Sequence, residues 1–246
     1  MEYTLDVQSR FAEICKNRGK LYTFGMVTAK RTPRNPTALK EHEALSHFKK
    51  VDPKLYKAGV PHRESIATRI VFKSTNASLF NALAGTIIGQ QLSTKAASTI
   101  RGRVTAVCGV SGITAKAIEE VSIQDLQGAG LSAAKAKTLK ELSYAVLHQD
   151  LNLQKLRTLS PEEATEKLLA VWGVGPWTVQ MFFMFSLGMP DIFSAGDLGL
   201  ARGMELLYGL PKNTAREELE KISKRWAPYR TYASLILWAH YDCRNR

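Results

Sequence analysis

Three cysteines in 246 residues, Cys15, Cys108 and Cys243, are too few and too scattered for a disulfide framework or a cysteine-rich metal site. Their odd number and wide spacing predict free thiols in a reducing compartment. Long apolar runs are missing as well. The best, Met181 to Leu187 and Leu235 to Ala239, fall far short of the ~18 residues that cross a bilayer, so no membrane span is expected. Met1 to Arg10 hold no apolar core, so no secretory signal is expected there. Alternating apolar and polar stretches of useful length are absent, which leaves helices to carry the fold. Acidic residues are also in short supply, 22 against 34 basic ones, for a net charge of +12. Residues 1–74 carry 15 Lys or Arg against 7 Asp or Glu, and residues 75–246 carry 19 against 15. Such a surface favours polyanions, nucleic acid first, although a basic tail serving solubility or nuclear import explains the charge equally well.

What is present reads as an all-α protein. Residues 1–36 form a basic arm whose turn-rich stretch, Lys30-Arg31-Thr32-Pro33-Arg34-Asn35-Pro36, has two prolines and no apolar stripe. A helix is expected from Thr37 to Phe48. Leu79, Leu83, Ile87 and Ile88 recur at helical spacing within a long helical region, Leu79 to Val107. That region breaks at Gly89-Gln90-Gln91-Leu92-Ser93, where Ser93 can cap a second helix. Ser122 to Leu126 and Ala133 to Leu147 follow, joined by Gly128-Ala129-Gly130-Leu131-Ser132. Ser160-Pro161-Glu162-Glu163 combines a serine cap, a proline at the first helical position and a glutamate closing a capping box. The remaining helices are expected after Pro176 and over Asp197 to Leu207, Thr214 to Ser223, and Arg230 to Tyr241.

The most informative stretch runs from Trp172 to Asp197. Gly173-Val174-Gly175 separates two helical segments, and glycines let a backbone approach something bulky while the next helix aims unpaired N–H groups at it. A phosphate is the obvious guest. Trp177 set into the turn and the later carboxylate of Asp197 point to chemistry on a base. Each residue also has a plainer explanation. The glycines serve a tight helix–helix turn, and Asp197 serves as an ordinary helix cap. Trp238, in the apolar run Leu235-Ile236-Leu237-Trp238, is then core packing, and Gln91 a polar turn residue. Leu126-Gln-Gly-Ala-Gly-Leu-Ser echoes the hairpin faintly and reads as a helix–turn–helix joint.

Five motifs in order bear on these alternatives by resemblance: Gly89 to Ala96 (GQQLSTKA), Gly130 to Ala136 (GLSAAKA), Trp172 to Thr178 (WGVGPWT), Asp191 to Leu200 (DIFSAGDLGL) and Arg225 to Ala233 (RWAPYRTYA). Together, over roughly Lys50 to Tyr241, they resemble the helix-hairpin-helix DNA glycosylase superfamily, and within it the 3-methyladenine glycosylases of the AlkA and yeast Mag type. The resemblance implies a two-lobed helical fold over residues 37–246 with the active site in the cleft between lobes. The central lobe would span about 75–190, and the flanking segments would form the second. It implies Asp197 as the catalytic aspartate, whose fixed charge would stabilise an oxocarbenium-like transition state or orient water. Trp177, Trp238 and Met181 would line the base pocket, Met181 standing where AlkA carries a tyrosine. Gly173, Val174 and Gly175, with Thr178 nearby, would bind DNA phosphates through amides that read no sequence. Gln91, or else Leu92, would be the wedge that fills the gap left by a flipped base.

Departures narrow the implied chemistry. Bifunctional relatives carry a lysine immediately after the hairpin, where this chain has Trp177, so Schiff-base chemistry and strand cleavage are not expected. The C-terminal cysteine pattern of the iron–sulfur branch is missing. No cofactor and no catalytic metal are expected; a structural monovalent or divalent cation on the hairpin carbonyls occurs in relatives. The implied partner is double-stranded DNA with alkylated bases, bound by a monomer in the nucleus, or in the cytoplasm of a bacterium. A catalytically silent damage-binding protein on the same fold is the alternative from a different class.

Overall fold

The structure, a computed structural model, is described here for residues 36–63, Ile66 and residues 75–244. The basic arm lies outside the described residues apart from Pro36. Helices occupy most of the described chain, with no strand among the described residues. The chain divides into two compact units, one of residues 71–187 and one of the flanking segments, up to 70 and from 188 on.

The continuous unit is built on α3 (Asn76–Gly89), flanked in chain order by α1 (Pro36–Val51) and α2 (Pro53–Gly59) of the other unit and by α4 (Thr94–Val107). Leu79, Phe80, Leu83, Ala84, Ile87 and Ile88 of α3 are all buried, the pattern of a helix surrounded by others. Against it pack α4, α7 (Ala133–His148) and α9 (Pro176–Phe182), while α5 (Ala115–Glu120) and α6 (Ile123–Gly128) pack on α7, and α8 (Pro161–Leu169) packs on α9. Each N-terminus from α3 to α8 is closed by a hydroxyl: Thr75, Ser93, Thr114, Ser122, Ser132 and Ser160 accept from an amide three residues on. Ser160 and Glu163 form the expected reciprocal capping box.

The flanking unit holds α1, α2, α10 (Leu198–Tyr208), α11 (Arg216–Ser223) and α12 (Arg230–Arg244). Thr231 to Leu237, seven residues in succession, are buried in α12, which packs against both α2 and α10. Asp52 anchors this unit from α2's N-terminus, where it is 3% exposed. Its Oδ1 accepts from Leu55 N at 3.0 Å, and its Oδ2 accepts from Tyr208 Oη at 2.7 Å and Trp226 Nε1 at 2.9 Å. Burial, then the carboxylate itself, pushes the Tyr208 hydroxyl well above its ordinary range.

Several boundaries differ from the sequence expectation for local reasons. The helix expected from Thr214 begins at Arg216, because the amides of Asn213 and Thr214 donate to Glu205 Oε1 and keep that segment out of the helix. The segment after Pro176 is regular for seven residues only and then widens into a π turn, Phe183–Leu187. Helix α5 was not expected at all. Cys108 is free and buried, but Cys243 is not the free thiol expected, since it is disulfide-bonded.

Candidate functional site

In the flanking unit, the loop from Met189 to Asp197 delivers one carboxylate to the start of α10. Asp197 is its N-cap, and Oδ1 accepts from Leu200 N at 2.9 Å and from Trp238 Nε1 of α12 at 2.9 Å. One oxygen thus takes two donors from two helices, which fixes the direction of the acid. The close approach depends on glycine. A Cβ on Gly199 would stand 2.9 Å from both Trp238 Nε1 and Cδ1, and one on Gly203 would stand 2.8 Å from the Leu237 carbonyl oxygen.

The start of the same loop is clamped to α12. Arg230 donates Nε and Nη2 to the two oxygens of Asp191 at 2.8 and 2.9 Å, and its amide donates to Oδ1 at 3.1 Å. Thr231 Oγ1 donates to Met189 O at 2.6 Å and accepts from Ile192 N at 3.0 Å. Burial alone would raise the Asp191 carboxyl, but the Arg230 guanidinium and amide outweigh it and hold the group below its ordinary value of 3.8. A depressed carboxylate adds stability above its unfolded value and loses it as pH falls through the folded one. Urea midpoints of the wild type and Asp191→Asn should therefore differ by a constant amount above about pH 5 and converge below about pH 4. A gap that widens toward acid would overturn this assignment.

In the continuous unit, α8 and α9 meet at the glycine hairpin. Val174 is buried, and its amide donates to Val171 O at 3.1 Å, so of the three hairpin residues it is the one whose N–H is spent inside the turn. Gly173 has φ +79°, and a Cβ there would run into the Thr138 side chain of α7. Left-handed backbone and lack of room both demand glycine. Gly175 is the N-cap of α9 without a side-chain hydrogen bond, unlike the hydroxyl-capped helices before it. Trp177 and Met181 lie one turn apart on α9, Trp177 partly exposed and Met181 5% exposed.

Thr178 is 1% exposed, and its hydroxyl faces inward, accepting from Gln90 Nε2 at 2.8 Å. Its side chain therefore supports the turn after α3. Lys135 Nζ of α7 donates to Ile88 O at 2.9 Å and Gln90 O at 2.7 Å, holding the carboxyl end of α3. Burial pulls its amine below the ordinary value. Beyond these anchors the turn protrudes: Gln91 is exposed with φ +56°, and Leu92 is 36% exposed. An exposed non-glycine residue held in left-handed backbone is a fixed projection.

Among the described residues no group of three His, Cys, Asp or Glu side chains is placed to hold a metal. A cation at the hairpin would rest on main-chain carbonyls, hard oxygen donors suited to alkali or alkaline-earth ions. Of these, the Val171 and Gly175 carbonyls already accept from Val174 N and Val179 N.

A profile of the HhH-GPD superfamily base excision DNA repair proteins matches residues 84–228, well over half of the chain. The chain belongs to this family. It is 34% identical to the Bacillus subtilis protein YfjP over 167 residues, covering 65% of this chain and 58% of that one, so it spans less than two thirds of that relative's length. Among solved structures it is similar to the 3-methyladenine DNA glycosylase Mag1 of Schizosaccharomyces pombe in complex with abasic DNA. There the TM-score is 0.69 at 27% identity, over 80% of this chain and 95% of that one. It is also similar to a DNA-3-methyladenine glycosidase of Bacillus halodurans, with TM-score 0.64 and 35% identity over 80% and 87% of the two chains.

For this HhH-GPD chain, sequence reasoning named Asp197, Trp238 and the hairpin glycines but missed what holds them. Gly199 and Gly203 carried a readable signal, two glycines four apart on one helix face. Asp191 with Arg230 and Lys135 with Gln90 carried none, because their partners are far apart in the chain. Trp238, expected as a pocket wall, spends its indole N–H on Asp197.

Proposed function

We propose that this HhH-GPD protein is a monofunctional DNA glycosylase that hydrolyses the N-glycosidic bond of alkylated purines, of the 3-methyladenine and 7-methylguanine type, in double-stranded DNA and leaves an abasic site. The observation that carries the reading is the carboxylate of Asp197, aimed by two N–H donors on one oxygen. Bond cleavage builds positive charge on the deoxyribose, and a fixed anion lowers the energy of that state without reorganising at the moment of reaction. The electron pair leaves with the base, and water completes the sugar. A purine methylated on a ring nitrogen is cationic and departs readily. The indole of Trp177 would attract it by about 0.5–2 kcal/mol, with Met181 beneath, while Trp238 serves to orient the acid. Gln91, with Leu92 next to it, would fill the vacated stack, and the Gly173 and Gly175 amides would take DNA phosphates. With Trp177 in place of an amine after the hairpin, the reading includes no covalent enzyme–DNA intermediate. A cation on the hairpin carbonyls would stiffen that turn and take no part in cleavage. One chain would act per lesion, in the nucleus of a eukaryote or the cytoplasm of a bacterium.

The test is a duplex carrying one 7-methylguanine or 3-methyladenine. Strand breaks are expected only after alkali, and borohydride should trap no adduct. Tight binding to the lesion with no alkali-labile site would favour the silent damage-binding alternative.

A further inference from the structure

The residue just before the hairpin, Trp172, belongs to none of the roles above, yet it is 46% exposed. Leaving an indole in water costs burial energy unless something covers it. Lys137 Nζ of α7 stands 4.2 Å from the centre of its ring, well inside cation–π range. The next residue of α7, Thr138, is the one packed against Gly173, so the lysine, the indole and the hairpin bend share one patch. Lys137 is itself exposed. A surface lysine ordinarily samples many rotamers, and ordering it for a ligand costs entropy. Here the indole holds the ammonium in advance.

We propose that Trp172 and Lys137 form a second DNA-backbone contact that extends the hairpin's grip by one phosphate. Lys137 supplies the cation, and Trp172 holds it while packing its exposed edge on the adjoining deoxyribose. The occupant is duplex DNA because the patch is continuous with the hairpin amides and the chain carries net +12. The inference rests on the DNA-glycosylase reading. It adds a side-chain contact to a surface otherwise made of main-chain donors, and it reads no base.

Salt dependence decides the matter, because each phosphate neutralised adds about 0.9 to the slope of log affinity against log salt. Fluorescence anisotropy with an abasic-site duplex between about 50 and 200 mM salt gives that slope. Lys137→Met keeps the stem and removes the charge. It should flatten the slope by close to one counterion and weaken binding several-fold, and Lys137→Arg should restore the slope. Trp172→Ala should weaken binding to a similar extent, and the double variant should be no worse than either single, since the two act as one unit. As a control for bulk charge, Lys116→Met on α5, whose side chain pairs with Glu120, should leave the slope unchanged. An unchanged slope in Lys137→Met overturns the inference, and so does an equal loss in Lys116→Met or strict additivity of the two single changes. A wild type that binds and excises normally while the variants show any of these results removes only the second contact. A wild type that binds no duplex removes the glycosylase reading with it.

Discussion

Replacing Asp197 with asparagine is expected to cut the single-turnover rate of base release by roughly 10²–10³-fold or more while leaving the fold and affinity for abasic DNA nearly intact. The hydrogen bonds explain why the two effects separate. Leu200 N and Trp238 Nε1 both donate to Oδ1 of Asp197. Asparagine keeps an acceptor at that oxygen, so the α10 cap and the indole contact survive while the negative charge goes. Alanine would confuse the reading, because it removes the cap and strands the Trp238 N–H, at a cost of about 1–3 kcal/mol. The measurement is single-turnover excision with a matched thermal melt. Base release within tenfold of wild type by a folded Asp197→Asn would remove the acid from the chemistry.

The same substitution at Asp52 should do the reverse. Asp52→Asn is expected to destabilise the protein by about 2–4 kcal/mol and to lower Tm by roughly 5–15 °C. At this site the donors are divided between the two oxygens: Leu55 N meets Oδ1, while Tyr208 Oη and Trp226 Nε1 meet Oδ2. An amide can present its oxygen to one side only. Its NH₂ then faces a donor across a site that is 3% exposed, and the indole, which can only donate, must turn to the Tyr208 hydroxyl. The tyrosine can turn its hydroxyl round, and for that reason the cost stops short of what losing an entire buried ion pair exacts. Scanning fluorimetry measures the shift, and a change below about 2 °C would show that Asp52 is not the anchor described. Base release by the surviving folded fraction should continue, since Asp52 takes no part in the proposed chemistry.

These two aspartates also show how far the chain could be read before it was folded. Asp197 was legible as the start of a helix because that signal is local, an acid directly before the apolar-periodic segment that follows it. So were the caps at Ser93 and Ser160, whose chemistry lies within three residues. Asp52 was not singled out, because an acid before Pro53 marks a helix start and nothing more. Its partners lie 156 and 174 residues away, and no spacing rule spans that distance. Helix α5 escaped because six residues give too few repeats to establish a period, although Thr114 was an adequate cap. The π turn after α9 lies in an apolar run where helical and wider winding bury the same side chains. Trp238 was read as a pocket aromatic by resemblance, and its hydrogen bond to Asp197 was beyond reach because 41 residues separate the two.

The placement of the four tryptophans gives the molecule a set of native optical reporters. Trp226 is sealed in the flanking unit against Asp52, so its emission follows unfolding there. Trp238 touches the acid and is sensitive to the local field at that oxygen. Trp172 is about half exposed under an ammonium, and Trp177 is the second residue of the helix beyond the bend. Variants that retain one indole each would resolve melting, acid geometry and surface engagement as separate colours, with no dye attached.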